Sequence, residues 1–142
     1  VKKNLVALDL GHASLGIALS RSGMFVTPVT NLRFEKDHFE VALAYLHELL
    51  LTEKAETFVL GYPTFPSGDP CEMTATVESF EKLLQKEFPK IPIVRQDERY
   101  STEEASAMLH GNGEHAKKQH AHIDCAAACV ILERYLDSLG QL

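Results

Sequence analysis

From Leu5 to Leu10 (LVALDL) the chain is apolar at every position but Asp9. A continuous run of that length marks a strand buried on both faces. The expected strand is Asn4 to Leu10, after which Gly11 lets the chain turn tightly. Leu15 to Ser20 (LGIALS) and Met24 to Val29 (MFVTPV) follow as strands, separated by a turn at Gly23. Connections this short join antiparallel neighbours, so the first third reads as a three-strand meander. Pro28 cannot donate to a ladder and points to an edge position for the third strand.

The period then changes. Asp37 to Leu51 places Phe39, Ala42, Leu43, Leu46, Leu49 and Leu50 on one stripe, the mark of an amphipathic crossover helix. Thr57 to Gly61 (TFVLG) is a short apolar strand, Tyr62 to Pro70 is a Pro- and Gly-dense loop, and Cys71 to Phe88 is a second amphipathic helix closed by Pro89. Ile91 to Val94 is expected as the fifth strand. Ser101 with Glu104 fits a capping box opening a helix through Leu109. The polar, glycine-containing stretch Gly111 to His120 reads as a loop, and Ile123 to Leu139 as the last helix. A hairpin unit followed by strands with crossover helices predicts an α/β fold: a mixed five-stranded sheet covered by helices on both faces.

With 142 residues and 45% hydrophobic content, the chain has room for one core and a single domain over residues 1–142. The formal net charge of -6 argues against coating nucleic acid by bulk electrostatics, which needs many Lys and Arg, though a local basic patch remains open. No apolar run approaches the roughly 18 residues that span a bilayer. The start of the chain carries no secretion pattern, so a soluble, cytoplasmic protein is expected. Three cysteines, two of them four apart in one predicted helix, make a poor disulfide framework.

Candidate chemistry rests on acids in otherwise apolar or ordered frames. Asp9 near the end of the first strand would cost several kcal/mol to bury without a cation or hydrogen bonds, roughly as for any isolated carboxylate; a helix-capping or salt-bridged acid at the strand end is the plainer account. Asp97 and Glu98 leave the fifth strand and should point in different directions, so only one of them is expected to reach a centre shared with Asp9; Glu98 is favoured, since Asp97 could as easily fix the loop. Asp124 opens the last helix, where an N-cap role and a ligand role are equally open. If three such carboxylates converge, they suit one or two Mg²⁺ or Mn²⁺ ions and phosphodiester hydrolysis. Arg95 and Arg99, beside the fifth strand, and Lys117 and Lys118, before Asp124, are candidate nucleic-acid contacts, or merely charge partners and solvated lysines. Arg21 is grouped with them, and Tyr62, Phe65 and Tyr100 could stack on bases.

Rival sites are weaker. His120, His122, Cys125 and Cys129 offer nitrogen and sulfur donors for zinc, but in no common spacing. Asp9-Leu10-Gly11 with Gly16 is similar to the phosphate hairpin of actin-like ATPases, which close two domains over a nucleotide where this chain has one. His12 in the turn after Asp9 reads as a surface histidine, and Cys71 at a helix start compels no nucleophile.

Taken together, Asp9-Leu10-Gly11, Gly16-Ile17-Ala18, Gly61-Tyr62-Pro63, Asp97-Glu98-Arg99-Tyr100-Ser101-Thr102, Lys117-Lys118 and Ile123-Asp124-Cys125-Ala126-Ala127-Ala128 resemble the YqgF (RuvX) family over nearly the whole length. These are bacterial nucleases similar to Holliday junction resolvases and assigned to maturation of the 5′ end of pre-16S ribosomal RNA. The resemblance implies an RNase H-like fold with sheet order 3-2-1-4-5, and metal-dependent hydrolysis through Asp9, Glu98 and Asp124 with Mg²⁺ or Mn²⁺. It also implies pre-rRNA or branched DNA as partner, in the setting of the ribosomal small-subunit precursor, for a monomer or homodimer. A noncatalytic nucleic-acid-binding or ribosome-assembly protein and a Holliday junction resolvase are the alternatives. Two departures stand out. Members commonly read DLGxKRIG, whereas this chain has Ala13 and Ser14 at the basic pair, and the loop after Pro63 is Thr64-Phe65-Pro66-Ser67-Gly68.

Overall fold

In a computed structural model, residues 4–98 and 113–140 are described, with side chains for 4–98 and 126–140. Strand β1 (Leu5–Leu10) pairs antiparallel with β2 (Ser14–Ser20), and β2 antiparallel with β3 (Thr27–Arg33). Helix α1 (Phe39–Leu49) leads to β4 (Thr57–Tyr62), and α2 (Glu72–Glu87) to β5 (Ile93–Asp97). Both of these strands run parallel to β1, giving the sheet order β3-β2-β1-β4-β5. Helix α3 (Gly113–Ser138) returns across the other face. This mixed sheet, flanked by helices on both sides, has the RNase H-like α/β arrangement.

Alternation along each strand divides the core in two. Val6, Leu8 and Leu10 of β1 pack with Leu15, Ile17, Phe58 and Leu60 under α1 and α2, where Phe80 and Leu84 are fully buried. Leu5 and Ala7 pack with Ala18 and Val59 under Ala128, Ile131, Leu132 and Leu136 of α3. Because both faces are covered, β1 has no polar alternation to display, which is why it reads as a continuous apolar run.

Three boundaries differ from expectation. The third strand begins at Thr27 and extends to Arg33, leaving Met24 and Phe25 exposed in the turn after Gly23 (φ 75°). Backbone pairing with β2 selects the more polar TNLR segment over the apolar MFV run, and Pro28 does lie on an edge strand, beside a bulge at Ile17/Ala18. The fifth strand extends to Asp97 rather than ending at Val94. The loop expected over Gly111 to His120 is helical from Gly113; Glu114, Ala116, Lys117, Lys118, Gln119 and Ala121 are good helix formers, and polarity alone does not make a loop. The helix expected over Ser101 to Leu109 lies outside the described residues.

Candidate active site

Strand parity fixes which acids share a face. In β1, Leu5 and Ala7 face α3, so Asp9, two residues further on, continues that row. Its antiparallel partner on β2 is Gly16. On its other side, β1 and β4 are in register through Leu8 and Leu60, which sets Gly61 beside Asp9. Asp9 therefore has a residue without a side chain on either flank, and the α3 face of the sheet is open around it.

Glu98 enters this opening from β5. Its backbone N–H donates to the Tyr62 carbonyl at 3.1 Å, extending the ladder one residue past the Tyr62 and Asp97 pair. Parity then turns Glu98 toward α3, while Arg95 and Asp97 turn to the α2 side. A Cβ built on Gly61 would overlap Glu98 Oε2 and come within 2.7 Å of Ile131 Cδ1. The glutamate carboxyl thus lies across Gly61, under α3 and on the face that carries Asp9.

Two carboxyls brought together away from water repel. Burial, and then the charge of Asp9, push the Glu98 carboxyl from 4.5 up to about 8, with Arg134 of α3 pulling the other way. A mostly buried acid pair with only oxygen donors suits a hard divalent cation, which would replace the proton Glu98 otherwise holds. Arg134, three residues beyond Ile131, is a site cation that the sequence presents only as one polar position of the last helix; its i+3 spacing from a buried isoleucine is the available signal.

The remaining candidates fall in different places. Position 124 lies on α3 four residues before Ala128 and seven before Ile131, both packed on the sheet, and so shares their helix face by spacing; the Asp124 side chain lies outside the described residues. So do the side chains of Lys117, Lys118, His120, His122 and Cys125, and all of Arg99 and Tyr100. Among the described residues no group of three His, Cys, Asp or Glu could hold a metal ion. Arg95 lies on the opposite face of the sheet. Its guanidinium donates to Glu81 at 2.9 and 2.7 Å, approaches Glu78 at 3.7 Å and stacks 4.4 Å from the Tyr62 ring centre. The bond to Glu81 raises its pKa further. Arg21 follows β2 at the end of the sheet far from Asp9 and is bonded to Glu53 at 2.6 and 3.0 Å.

His12 Nδ1 lies 3.4 Å from Asp37 and Nε2 3.7 Å from Glu72, tying the β1–β2 turn to the start of α2. Cys71 caps α2, its sulfur accepting from the Thr74 hydroxyl at 3.4 Å. Cys129 is half-buried against the α3 core. Phe65 is exposed in the loop after β4.

Comparison with known proteins agrees with this geometry. The chain is 38% identical over 135 residues to a Mycoplasmopsis pulmonis (strain UAB CTIP) protein, covering 94% of this chain and 92% of that one. It is 34% identical over 135 residues to one from Geobacillus sp. (strain WCH70), covering 94% and 97%. A third, from Onion yellows phytoplasma (strain OY-M), is 33% identical over 132 residues, covering 93% and 87%. Each of the three bears the name "Putative pre-16S rRNA nuclease". The family model described as "RuvX: Holliday junction resolvase" matches residues 3–138. With the fold, the converging acid pair and a match across nearly the whole chain, this protein belongs to the RuvX family of nucleases.

Proposed function

We propose that this chain is a divalent-metal-dependent endonuclease that trims the 5′ end of precursor 16S ribosomal RNA, with Asp9, Glu98 and Asp124 as its metal-holding carboxylates. The observation that carries the reading is the convergence of Asp9 and Glu98 over Gly61. Such a pair is unfavourable without a counter-charge, and position 124 shares the helix face above it. Three carboxylates drawn together there would offer the all-oxygen donor set that Mg²⁺ or Mn²⁺ prefers. Bound there, the ion would supply Lewis acidity toward a phosphodiester.

The chain's own groups set the stage for that chemistry. Asp9, on the central strand, gives a fixed anchor, and Glu98 closes the cage once it gives up its proton. Arg134 offsets part of the acidic charge. Arg99, Lys117 and Lys118 are the proposed grips on the nucleic-acid backbone; Arg95 would join them only by leaving Glu81. The working unit is one domain over residues 1–142, a monomer or homodimer in the cytoplasm, acting on the small-subunit precursor. Among the described residues no helix is long and apolar enough to cross a membrane. The family description favours a second substrate, a four-way DNA junction.

The test is cleavage of an RNA spanning the 5′ end of precursor 16S rRNA, beside a four-way DNA junction, with Mg²⁺ or Mn²⁺ and after chelation. Metal-dependent RNA cleavage lost in Asp9→Asn and Asp124→Asn supports the proposal. Undiminished cleavage in either variant would sink it, and cleavage of the junction alone would move the substrate to DNA.

A further inference from the structure

The loop that leaves β4 presents an aromatic ring at the working end of the sheet. β4 runs parallel to β1, so residues beyond Tyr62 emerge at the end that carries Asp9. Thr64 pairs with Pro70 in an antiparallel bridge, and the chain between them closes as a tight hairpin. Phe65 N–H donates to the Asp69 carbonyl at 2.9 Å, and Gly68 N–H to the Phe65 carbonyl at 2.8 Å. Pro66 and Gly68 (φ 90°) stand at the second and fourth positions of that turn, where a fixed φ and a glycine are favoured. The Ser67 hydroxyl donates to Asp69 at 3.0 Å, and the Thr74 hydroxyl, 2.6 Å from the Pro63 carbonyl, ties the start of the loop to α2. Thr64 is buried, yet Phe65 beside it is 49% exposed. A well-held backbone thus carries a half-exposed ring.

The other described aromatic rings are engaged or stand elsewhere. Phe25 is also exposed, but it follows Ser20, whose partner Leu5 opens β1 at the far end of the sheet. The Tyr62 ring has Arg95 stacked 4.4 Å over it. The remaining phenylalanines pack on one another, and Tyr45 and Tyr135 pack against the core. From Gly61, across which Glu98 leans, to Phe65 is four residues, at most about 14 Å of chain. That is the span of a few nucleotides at about 3.4 Å of rise for each. A chain of net charge -6 cannot hold RNA by bulk electrostatics, and stacking needs no charge. Every base has a π-face, and a phenylalanine with two χ angles loses little freedom when one covers it. The base must be unpaired, since those inside a duplex stack on each other. We propose that Phe65 is a substrate-binding residue that stacks on an unpaired nucleobase of the RNA a few nucleotides from the scissile phosphate. This rests on the nuclease reading for the place of the bond. The role is to bind and to favour unpaired RNA beside the cut, without part in bond cleavage.

The test uses the same precursor 16S RNA. Affinity is measured in an Asp9→Asn background, where binding is read without turnover, between about 50 and about 200 mM salt. Phe65→Ala is expected to bind about tenfold more weakly with its salt slope unchanged, because no ionic contact is lost. Phe65→Tyr should bind within about twofold of wild type, Phe65→Leu as weakly as Phe65→Ala, and Phe25→Ala like wild type. RNAs that carry one abasic nucleotide, moved stepwise past the cleavage position, locate the stacked base. At one step the wild-type side chain should lose about tenfold while Phe65→Ala loses nothing, since the two removals strike the same contact. In the cleaving protein, Phe65→Ala should raise KM and leave kcat within about twofold. Wild-type affinity in Phe65→Ala, full recovery in Phe65→Leu, which would mark a plain apolar contact such as a protein face, or equal abasic losses with and without the ring would each overturn the assignment. Stacking through Phe65 by a chain that never cleaves would instead remove the nuclease reading and leave RNA binding by this ring standing.

Discussion

The carboxyl of Glu98 lies in the space that a side chain at Gly61 would fill. Asp9 and Glu98 sit on strands that are not neighbours, with β4 between them, and only a glycine at the intervening position lets a glutamate lean across. Gly61→Ala should therefore displace Glu98 or Ile131, destabilising the fold by about 1–3 kcal/mol as overpacking does. Metal-dependent cleavage should fall more than about tenfold, since misplacement of a catalytic group by about an ångström is costly. Urea unfolding and cleavage kinetics of this variant check both; unchanged kcat would show that the opening is not needed.

Metal-free stability should depend on pH through the acid pair. Glu98 binds its proton more tightly in the folded chain, from 4.5 up to about 8, so the stabilisation is complete below about pH 4.5 and is lost as pH rises toward about 8. The slope is at most ~1.4 kcal/mol per pH unit. Glu98→Gln should flatten it, and so should Asp9→Asn, because the titration belongs to the pair. Thermal unfolding in chelator across this range decides, and an unaltered slope in both variants would refute the coupling.

Arg134 holds the Glu98 carboxyl down against burial and Asp9. Its removal in Arg134→Ala should let the proton compete better with a metal ion. The pH at which cleavage reaches half its maximum should rise, and metal added in excess should pull it back. A pH profile at two metal concentrations measures this.

Arg95→Ala should separate structure from binding. Its partners Glu81, Glu78 and Tyr62 belong to the α2 side of the sheet, and the side chain is half-exposed, so screening limits the loss to about 1 kcal/mol. Affinity for precursor RNA should stay within about twofold. Denaturation and binding titrations together test this; a large loss of affinity with intact stability would return Arg95 to the nucleic-acid surface.

Much of this could be read from residue patterns, and what could not has physical reasons. The apolar run around Asp9 and the glycine after Val59-Leu60 announce doubly covered strands, so sheet, crossovers and edge proline follow. Parity separates Asp97 from Glu98 once the fifth strand is known to extend through Asp97, whereas an expected end at Val94 favours Glu98 without a geometric reason. Gly61 is visible as a turn-like glycine, but that it makes room for another strand's carboxyl depends on tertiary register. Arg95 beside an acidic stretch resembles a substrate cation; its ion pair with Glu81, fourteen residues earlier, arises only when α2 is laid on β5.

The two described acids are anchored very differently. Asp9 belongs to the innermost strand, clamped by β2 and β4, whereas Glu98 follows the end of an outer strand and, among the described residues, is tied to the ladder by its amide bonded to the Tyr62 carbonyl. Fraying of that rung would withdraw one of the two proposed ligands while the other stayed in place. The enzyme could then be disarmed by a local opening far less costly than unfolding, and amide exchange at Glu98 would report how often that happens.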